Sequence, residues 1–293
     1  MNIGDYLRRY KWDIGIASME EGHRYDSEKW DLHIVKAPME RWFADPFILD
    51  VTDEDIIILA EEYEHKLSKG RLAKLIIDKK SYKLKSYKII LELPTHLSFP
   101  IHFRKDDQIY IYPENSESGK CTLYIFDSVS DNFVQRNILS DEPLTDAVIT
   151  SISEENYLLS TKLPTQNENL LHIYKSDSVY GLFKHYQDLY FPDNTARSAG
   201  NVFVDNNHII RPAQNCNGGY GVGLVFQEII KDNKGISINE LFRKDPPRGY
   251  EGMHTYNEYK GYAVVDLHKR RFPKIFRTLQ FVKHLLFGKP NVS

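Results

Sequence analysis

A repeated strand–turn–strand unit limits the folds open to this chain more than any other feature of its sequence. Each unit has a short apolar strand, a polar turn and a second strand that ends in polar residues. The units begin at Ala44, Ser98, Thr145, Ser198 and Gly252. Their corresponding points, Asp45, Phe99, Asp146, Gly200 and His254, are spaced by 54, 47, 54 and 54 residues. A period of roughly 50 residues is typical of four-stranded propeller blades, so the repeat predicts an all-β, five-bladed β-propeller.

The last unit has only two strands before the C-terminal tail begins. Strand-like segments that start at Trp12 and Asp31 precede the first complete unit. We expect these segments to supply the outer strands of the last blade, because such closure leaves no open sheet edge. The sequence therefore predicts one propeller domain over residues 1–267, followed by a tail over residues 268–293.

Charge is distributed unevenly along the chain. The net charge is −3, but no acidic residue follows Asp266, and seven basic residues do. The preceding part has 31 basic and 41 acidic residues, a net charge of −10. This acidic body argues against nucleic acid as a partner, because lysine and arginine supply most of the affinity for phosphate backbones.

The tail has apolar residues at helical spacing between Pro273 and Phe287, with basic residues among them. This pattern predicts a short amphipathic helix. Two interpretations stay open: the helix docks its apolar face on the propeller, or it makes a peripheral contact with an anionic membrane surface.

The two cysteines, Cys121 and Cys216, lie far apart and form no CxxC motif. They argue against a disulfide scaffold and against a cysteine-based zinc site. No apolar run approaches the roughly 18 residues of a membrane span, and the N-terminus lacks the apolar core of a signal peptide. We therefore expect a cytoplasmic protein, with the tail as a candidate contact with the inner face of the membrane, and no cofactor or bound metal.

In a propeller the first strand of each blade lines the central channel, so its polar residues converge on one funnel. We expect the ligand contacts to come from residues near the ends of the inner strands. The candidate binding residues are Trp42, His102, Arg197, Arg211, Gln214, Tyr220, His254 and Asp266. Carboxylates, amides and aromatic rings in one funnel suit a polyhydroxylated ligand.

Several motifs resemble those of known families. The segment that begins at Trp42, WFADPF, resembles the first-blade motif of family 43 glycoside hydrolases, invertases and levansucrases. A closer resemblance joins WFADPF, LAEEY, HLSFP, YPEN, PLTDA, RPAQNCNGGYG and GMHTYN to the propeller domain of plant glucosamine inositolphosphorylceramide transferases. The second resemblance implies a carbohydrate context, namely the synthesis of a cell-surface polysaccharide or glycolipid. In the plant proteins the transferase is a separate domain.

The resemblance to the glycosidases implies roles for two aspartates. Asp45 matches their general base or nucleophile, and Asp146 matches the residue that tunes their general acid. The general acid itself lies on the first strand of the fourth blade, where this chain reads Arg197-Ser-Ala-Gly-Asn. Glycoside hydrolysis needs two carboxyl groups. Glu114 and Glu62 are therefore the candidate replacement acids.

Two of the candidate binding residues have alternative interpretations. Arg211 either clamps a carboxylate or phosphate of the ligand, or forms an interblade ion pair with Asp45 or Asp146. His254 either binds a sugar hydroxyl or a metal, or is a hydrogen-bonded core residue.

The leading expectation is a carbohydrate-active enzyme that cleaves or transfers a glycosyl unit. Its partner would be a glycan, a glycosylated lipid or a nucleotide sugar. The alternatives are a non-catalytic glycan-binding module and a partner subunit of a glycosyltransferase. The missing fourth-blade acid favours these alternatives.

Overall fold

A computed structural model describes residues 10–38 and 40–270 and places twenty β-strands in five four-stranded antiparallel sheets. Blade 1 contains β3 (Arg41–Val51), β4 (Asp55–Glu64), β5 (Lys69–Asp78) and β6 (Leu84–Leu91). Blade 2 contains β7 (His102–Lys105), β8 (Gln108–Ile111), β9 (Cys121–Asp127) and β10 (Asn132–Ser140), with a 3-10 turn at Ser116–Ser118. Blade 3 contains β11 (Leu144–Ile152), β12 (Glu155–Lys162), β13 (Leu170–Ser176) and β14 (Lys184–Tyr190). Blade 4 contains β15 (Phe203–Asp205), β16 (His208–Asn215), β17 (Gly223–Asp232) and β18 (Gly235–Lys244).

Blade 5 joins strands from the two ends of the described chain. Its order is β19 (Tyr256–Tyr259), β20 (Tyr262–Arg270), β1 (Tyr10–Ser18) and β2 (His33–Val35). The pairing of β1 with β20 runs without a break from Tyr10↔Arg270 to Ser18↔Tyr262. The N-terminal segments thus complete the last blade, which closes the ring.

The prediction of a five-bladed all-β propeller is confirmed. Strand β20 continues to Arg270, three residues past the expected domain boundary at 267. The predicted tail helix, over 273–287, lies outside the described residues. Within the described ranges, no helix has the length and apolar character that a membrane crossing requires.

The core is divided among the interfaces between blades. The described residues form five clusters of buried apolar side chains. Four of them join two neighbouring blades, and the fifth joins blades 2 and 3 and includes Phe47 of blade 1. Strand alternation divides each blade between two such clusters. In β4, Ile56 and Ile58 pack against blade 5, whereas Leu59 packs against blade 2. The face of the strand on which a side chain lies therefore decides which interface between blades it packs into.

The inner strands are interrupted at the corresponding points of the repeat. Asp45, Phe99 and Asp146 have φ angles of 48°, 44° and 47°, and the fourth unit has Gly200 at 156°. A Cβ on Gly200 would collide with the carbonyl oxygen of Tyr256 in the next blade. Positive φ is costly for residues other than glycine and is concentrated at functional sites. The repeat thus marks the level at which the inner strands turn toward the channel axis.

Candidate active site in the central funnel

Polar side chains from all five blades meet at the level of these interruptions. We call this group the funnel: Asp45 and Glu61 from blade 1, Glu114 from blade 2, Asp146 from blade 3, Arg197, Gln214 and Tyr220 from blade 4, and His254 and Asp266 from blade 5. Five of these groups are carboxylic acids and two are bases. The funnel therefore has a negative potential, which its low-dielectric walls strengthen.

Asp45 links three blades through its carboxylate. Its Oδ2 accepts a hydrogen bond from the backbone N–H of Phe99 at 3.1 Å, and its Oδ1 accepts one from the hydroxyl of Thr255 at 2.7 Å. Burial raises the pKa of Asp45, and the nearby Asp266 carboxylate raises it further, although His254 opposes both effects. The sequence analysis did not identify Thr255, because its place follows from the pairing of blade 5 with blade 1.

Asp266 organises the backbone at the start of the last blade. Its carboxylate accepts backbone hydrogen bonds from Asp45 at 3.0 Å, His254 at 2.9 Å and Thr255 at 3.0 Å. It also lies 2.5 Å from Nδ1 of His254. Burial alone would lower the pKa of His254, but the Asp266 and Asp45 carboxylates raise it above its ordinary value. His254 and Asp266 thus form a buried ion pair that holds the loop around Asp45.

Asp45, His254 and Asp266 are also spaced so that their ligand atoms lie within 4.8 Å of one another. This spacing is compatible with a cation. However, both carboxylates that would bind it already accept other hydrogen bonds: Asp266 accepts three backbone N–H groups, and Asp45 accepts from Phe99 and Thr255. The hydrogen-bonded interpretation of His254 therefore accounts for the contacts of the three side chains.

Arg197 neutralises Asp146 across the boundary between blades 3 and 4. Its Nε donates to Oδ2 of Asp146 at 2.6 Å, and its Nη1 donates to Oδ1 of Asn167 at 2.8 Å. Gln214 donates to the same Asp146 oxygen at 2.8 Å. Burial raises the pKa of Asp146 to about 6, against the opposing effect of Arg197. The interblade ion pair that the sequence analysis considered for Arg211 is thus made by Arg197.

Glu61 is the funnel acid that the sequence analysis did not choose. Burial raises its pKa far above the ordinary value, and the carboxylates of Asp45 and Glu114 add to this effect. The ring of His96 lies beside it, with Nε2 3.3 Å from Oε1 of Glu61. The backbone N–H of Gly70 donates to the other ring nitrogen and fixes the His96 ring. Glu61 is therefore a buried carboxylic acid whose raised pKa favours the protonated form, with the His96 ring beside it.

Glu62, a predicted candidate acid, lies between two arginines. Glu62 is fully buried and accepts hydrogen bonds from Arg41 at 2.7 Å and from Arg71 at 3.0 Å. Glu62 lies on the same face of β4 as Ile58 and Ala60, which pack toward blade 5. Glu61 lies on the opposite face, with Leu59, which packs toward blade 2. Strand alternation thus directs the two adjacent glutamates to opposite faces.

Glu114 lies at the edge of the funnel and is half-buried. One of its oxygens accepts from the hydroxyl of Ser98 at 2.9 Å, and the other accepts from the backbone N–H and the hydroxyl of Ser116 at 3.0 and 2.5 Å. Three protein donors thus hold the carboxyl group of Glu114 at the edge of the funnel.

Two predicted binding residues lie outside the funnel. Arg211 is 1% exposed and donates to Oε1 of Gln227 at 2.5 Å and to the hydroxyl of Ser198 at 3.2 Å. Burial lowers the pKa of Arg211 to about 9. Its acceptors Gln227 and Ser198 are neutral groups of blade 4, in place of the Asp45 or Asp146 carboxylate considered for it.

His102 occupies a different level of the channel. It lies three residues beyond the interruption at Phe99 and lines a separate pocket of about 170 Å³ with Phe47, Asn201 and Asn257. Burial lowers the pKa of His102 to about 4, and Arg104 contributes to the decrease. The structure thus places the predicted binding residue His102 at this second pocket, because an inner strand carries its residues along the channel as well as around it.

Aromatic rings form one wall of the funnel. The Trp12 ring stacks on His254 with 4.1 Å between centroids, and Tyr220 contacts His254 edge-on at 5.0 Å. The guanidinium of Arg197 lies 5.0 Å from the centre of the Tyr220 ring. Tyr220 is 44% exposed and is available to a ligand. Trp12 was not among the predicted site residues, because only the closure of blade 5 brings the N-terminal strand here.

Trp42, the remaining predicted aromatic residue, stands beside this wall. Its ring stacks on Tyr63 at 4.6 Å and lies 6.5 Å from the Trp12 ring. It therefore contacts the wall without being part of the group that surrounds Asp45.

Comparison with known proteins agrees with the fold. The chain is 27% identical over 153 residues to glucosamine inositolphosphorylceramide transferase 1 from Oryza sativa subsp. japonica, a match that covers 50% of this chain and 21% of the relative. The protein of the same name from Arabidopsis thaliana is 27% identical over 140 residues, with 45% and 18% covered. The chain thus spans about a fifth of the length of these relatives.

Solved structures of glycoside hydrolases have the same architecture. A family 43 β-1,3-galactosidase superposes with a TM-score of 0.58 at 11% identity, covering 74% of this chain and 52% of that chain. A family 117 glycoside hydrolase from Zobellia galactanivorans gives a TM-score of 0.53 at 10% identity, with 80% and 86% covered. At these identities the likeness shows the fold alone.

A family model matches residues 34–241, which include all of blades 1, 2 and 3 and most of blade 4. Because this match covers most of the chain, it establishes the family. The chain belongs to the family described as glucosamine inositolphosphorylceramide transferase 1, N-terminal.

Proposed function

We propose that the funnel binds a glycosyl unit of a glycan or glycolipid and cleaves or transfers it by acid–base catalysis. The relatives are named for a transferase that acts on a sphingolipid with glucosamine, which supports a carbohydrate ligand. The observation that carries the catalytic part is Glu61, a buried acid with a strongly raised pKa beside the carboxylate of Asp45. Paired carboxyl groups with separated roles are what glycosyl cleavage requires.

The two carboxyl groups take different roles in this proposal. Glu61 protonates the departing oxygen, because burial and the nearby carboxylates raise its pKa and so favour the protonated form. Asp45 acts as base or nucleophile, and the donors from Phe99 and Thr255 orient its carboxylate. Asp146, which is paired with Arg197, contributes to the electrostatic potential at Glu61 and Asp45.

The test uses a panel of p-nitrophenyl and methyl glycosides with the purified protein. We expect Asp45→Asn to abolish turnover of every substrate that the wild type uses. We expect Glu61→Gln to lose more activity on a methyl glycoside than on its p-nitrophenyl counterpart, because p-nitrophenolate leaves without protonation. Glu64→Gln is the matched control. Glu64 lies three residues after Glu61 on the same strand and pairs with Arg71. Equal losses on both leaving groups would remove Glu61 from the role of acid.

A second candidate is a funnel that binds a sugar without acting on it, as a module that serves a separate transferase. Two observations favour it: Arg197 takes the fourth-blade position of the glycosidase acid, and both oxygens of Asp45 already accept protein hydrogen bonds. Five acids against two bases also favour a cationic sugar, so this candidate predicts tighter binding of glucosamine than of N-acetylglucosamine. Saturation-transfer NMR with both sugars tests it. Sugar binding with no turnover on the glycoside panel would establish this candidate over the enzyme.

A further inference from the structure

Three metal-ligating side chains converge on the outer half of blade 3, outside the funnel. His172 lies on β13, and His185 and Asp188 lie on β14, the outermost strand of the blade. Oδ1 of Asp188 lies 2.8 Å from Nδ1 of His172 and 2.8 Å from Nε2 of His185. All three ligand atoms lie within 4.8 Å of one another. One carboxylate oxygen therefore faces two imidazole nitrogens.

A strand irregularity produces this convergence. His172 pairs directly with Asp188, so these two side chains share a face. His185 is three positions before Asp188, and in a regular strand it would point to the opposite face. The register of β13 with β14 shifts between Ile173 and Tyr174, so Tyr186 pairs with no residue of β13. An extra residue of this kind re-aims a side chain, and such bulges are common beside functional sites.

The donor set matches the preference of a late first-row divalent cation. Imidazole nitrogen and carboxylate oxygen both bind Zn²⁺, at about 2.0–2.2 Å, and a tetrahedral site with these bonds separates its ligand atoms by about 3.4 Å. The observed separations of 2.8 Å need to open by about half an ångström. His185 can supply this movement, because its side chain is 52% exposed.

Burial of the three ligands is graded from the core to the solvent. The side chain of His172 is 7% exposed, whereas that of Asp188 is 36% exposed. The rings of both histidines approach Tyr174, with centroid distances of 6.5 Å for His172 and 5.9 Å for His185. One ligand is thus fixed against the core, and the solvent side leaves a path for the cation and a fourth position for water.

We propose that His172, His185 and Asp188 form a binding site for a divalent transition metal, with Zn²⁺ as the reference ion. The two neutral imidazoles and one carboxylate give the site a charge of −1, which a dication complements. Zinc replaces the two hydrogen bonds to Asp188 with three metal–ligand bonds, and each neutral imidazole carries its proton on the ring nitrogen that does not bind the metal. The site is independent of the chemistry proposed for the funnel.

The experiment is a calorimetric titration of the chelator-treated protein with ZnCl₂, with a parallel titration followed by the visible absorption of Co²⁺. We expect one Zn²⁺ per chain, and at least about tenfold weaker binding for His185→Ala and for Asp188→Asn. His208→Ala is the matched control, because His208 is an exposed histidine paired with one carboxylate, that of Glu228. We expect this variant to bind zinc as the wild type does.

Two outcomes would overturn the site. One is a wild-type protein that takes up no zinc. The other is zinc binding that is unchanged in His185→Ala and Asp188→Asn, which would place the ion elsewhere, for example at Asp45, His254 and Asp266. Circular dichroism checks that each variant is folded, and the exposure of His185 makes His185→Ala the safest of them.

Discussion

Nε of Arg197 lies 2.6 Å from Oδ2 of Asp146, and this contact joins blade 3 to blade 4 at the level of the funnel. It places a cation in the fourth blade, at the position where the glycosidases that this chain resembles carry their general acid. A carboxyl group in the first blade, Glu61, has the raised pKa that such an acid needs. The roles proposed for the funnel therefore depend on Arg197 and Glu61 together.

We expect Arg197→Met to destabilise the protein by about 3 kcal/mol, because it leaves the buried Asp146 without its counter-charge. The same substitution should raise the pKa of Asp146 further. Urea denaturation measures the loss. Arg243→Met is the matched control: Arg243 pairs with Asp193 and Glu240 at the surface, where such pairs contribute about 1 kcal/mol or less. Similar losses in the two variants would show that the buried Arg197–Asp146 pair stabilises the fold no more than a surface ion pair does.

We expect the contribution of Asp146 to the free energy of unfolding to decrease as the pH rises from 3.8 to about 6. The pKa of Asp146 is about 6 in the folded chain against 3.8 for the ordinary group. Between these values the folded state holds a proton that the unfolded state has released, so stability falls as the pH rises. His254 acts in the same direction: its raised pKa stabilises the fold fully below pH 6.5, and this contribution is lost as the pH rises through the folded value.

Urea denaturation at about pH 5 and about pH 8 tests this pH dependence. Asp146→Asn should flatten the part of the curve between pH 3.8 and about 6. Asp266, whose pKa is lowered by His254 against the effect of burial, loses its contribution only as the pH falls below 3.8. Parallel stability curves for the wild type and Asp146→Asn between pH 3.8 and about 6 would contradict the raised pKa of Asp146.

The neighbouring glutamates of β4 should respond in opposite ways to the same substitution. We expect Glu61→Gln to keep or raise the melting temperature at about pH 8, because the amide removes the cost of ionising a buried carboxyl. We expect Glu62→Gln to cost about 3 kcal/mol, because Arg41 and Arg71 lose their shared carboxylate. Thermal denaturation compares them. Turnover or sugar binding should fall in Glu61→Gln and persist in folded Glu62→Gln, and the reverse result would exchange their roles.

Gly70 is expected to be essential for the orientation of Glu61. A Cβ at this position would collide with the carbonyl oxygen of Leu97 and would lie 2.5 Å from Oε1 of Glu61 and 2.8 Å from Cε1 of His96. Gly70→Ala should therefore displace the acid and lower its pKa by admitting water. The measurement is the pH profile of turnover or sugar binding. An unchanged profile in a folded variant would show that the position of Glu61 does not matter.

Much of the architecture could be predicted from the sequence because it is repeated. The near-constant spacing from Asp45 to His254 predicts five blades, and the strand-like segment at Trp12 predicts closure with the N-terminus. The prediction of Asp45 and Asp146 as neighbours in one funnel also follows from the repeat, since corresponding points of successive blades converge on one axis. Their positive φ angles show that the repeat marked a real feature of the backbone.

The choice between adjacent or similar residues could not be made in this way. The sequence shows that Glu61 and Glu62 face opposite sides of a strand, but not which side opens on the funnel. It offers Arg197 and Arg211 as equivalent cations, and the structure pairs the first with Asp146 and leaves the second among neutral acceptors.

The sequence by itself thus determined the number of blades, the closure of the ring and the level of the candidate site, because hydrophobic periodicity and repeat length are local properties of the chain. Only the tertiary structure decided which carboxyl group is buried beside Asp45, and that a bulge brings His185 toward His172 and Asp188. These outcomes depend on strand register and on contacts between blades. Register is set jointly by the two strands of a pair, and a one-residue difference reverses the face of every side chain that follows.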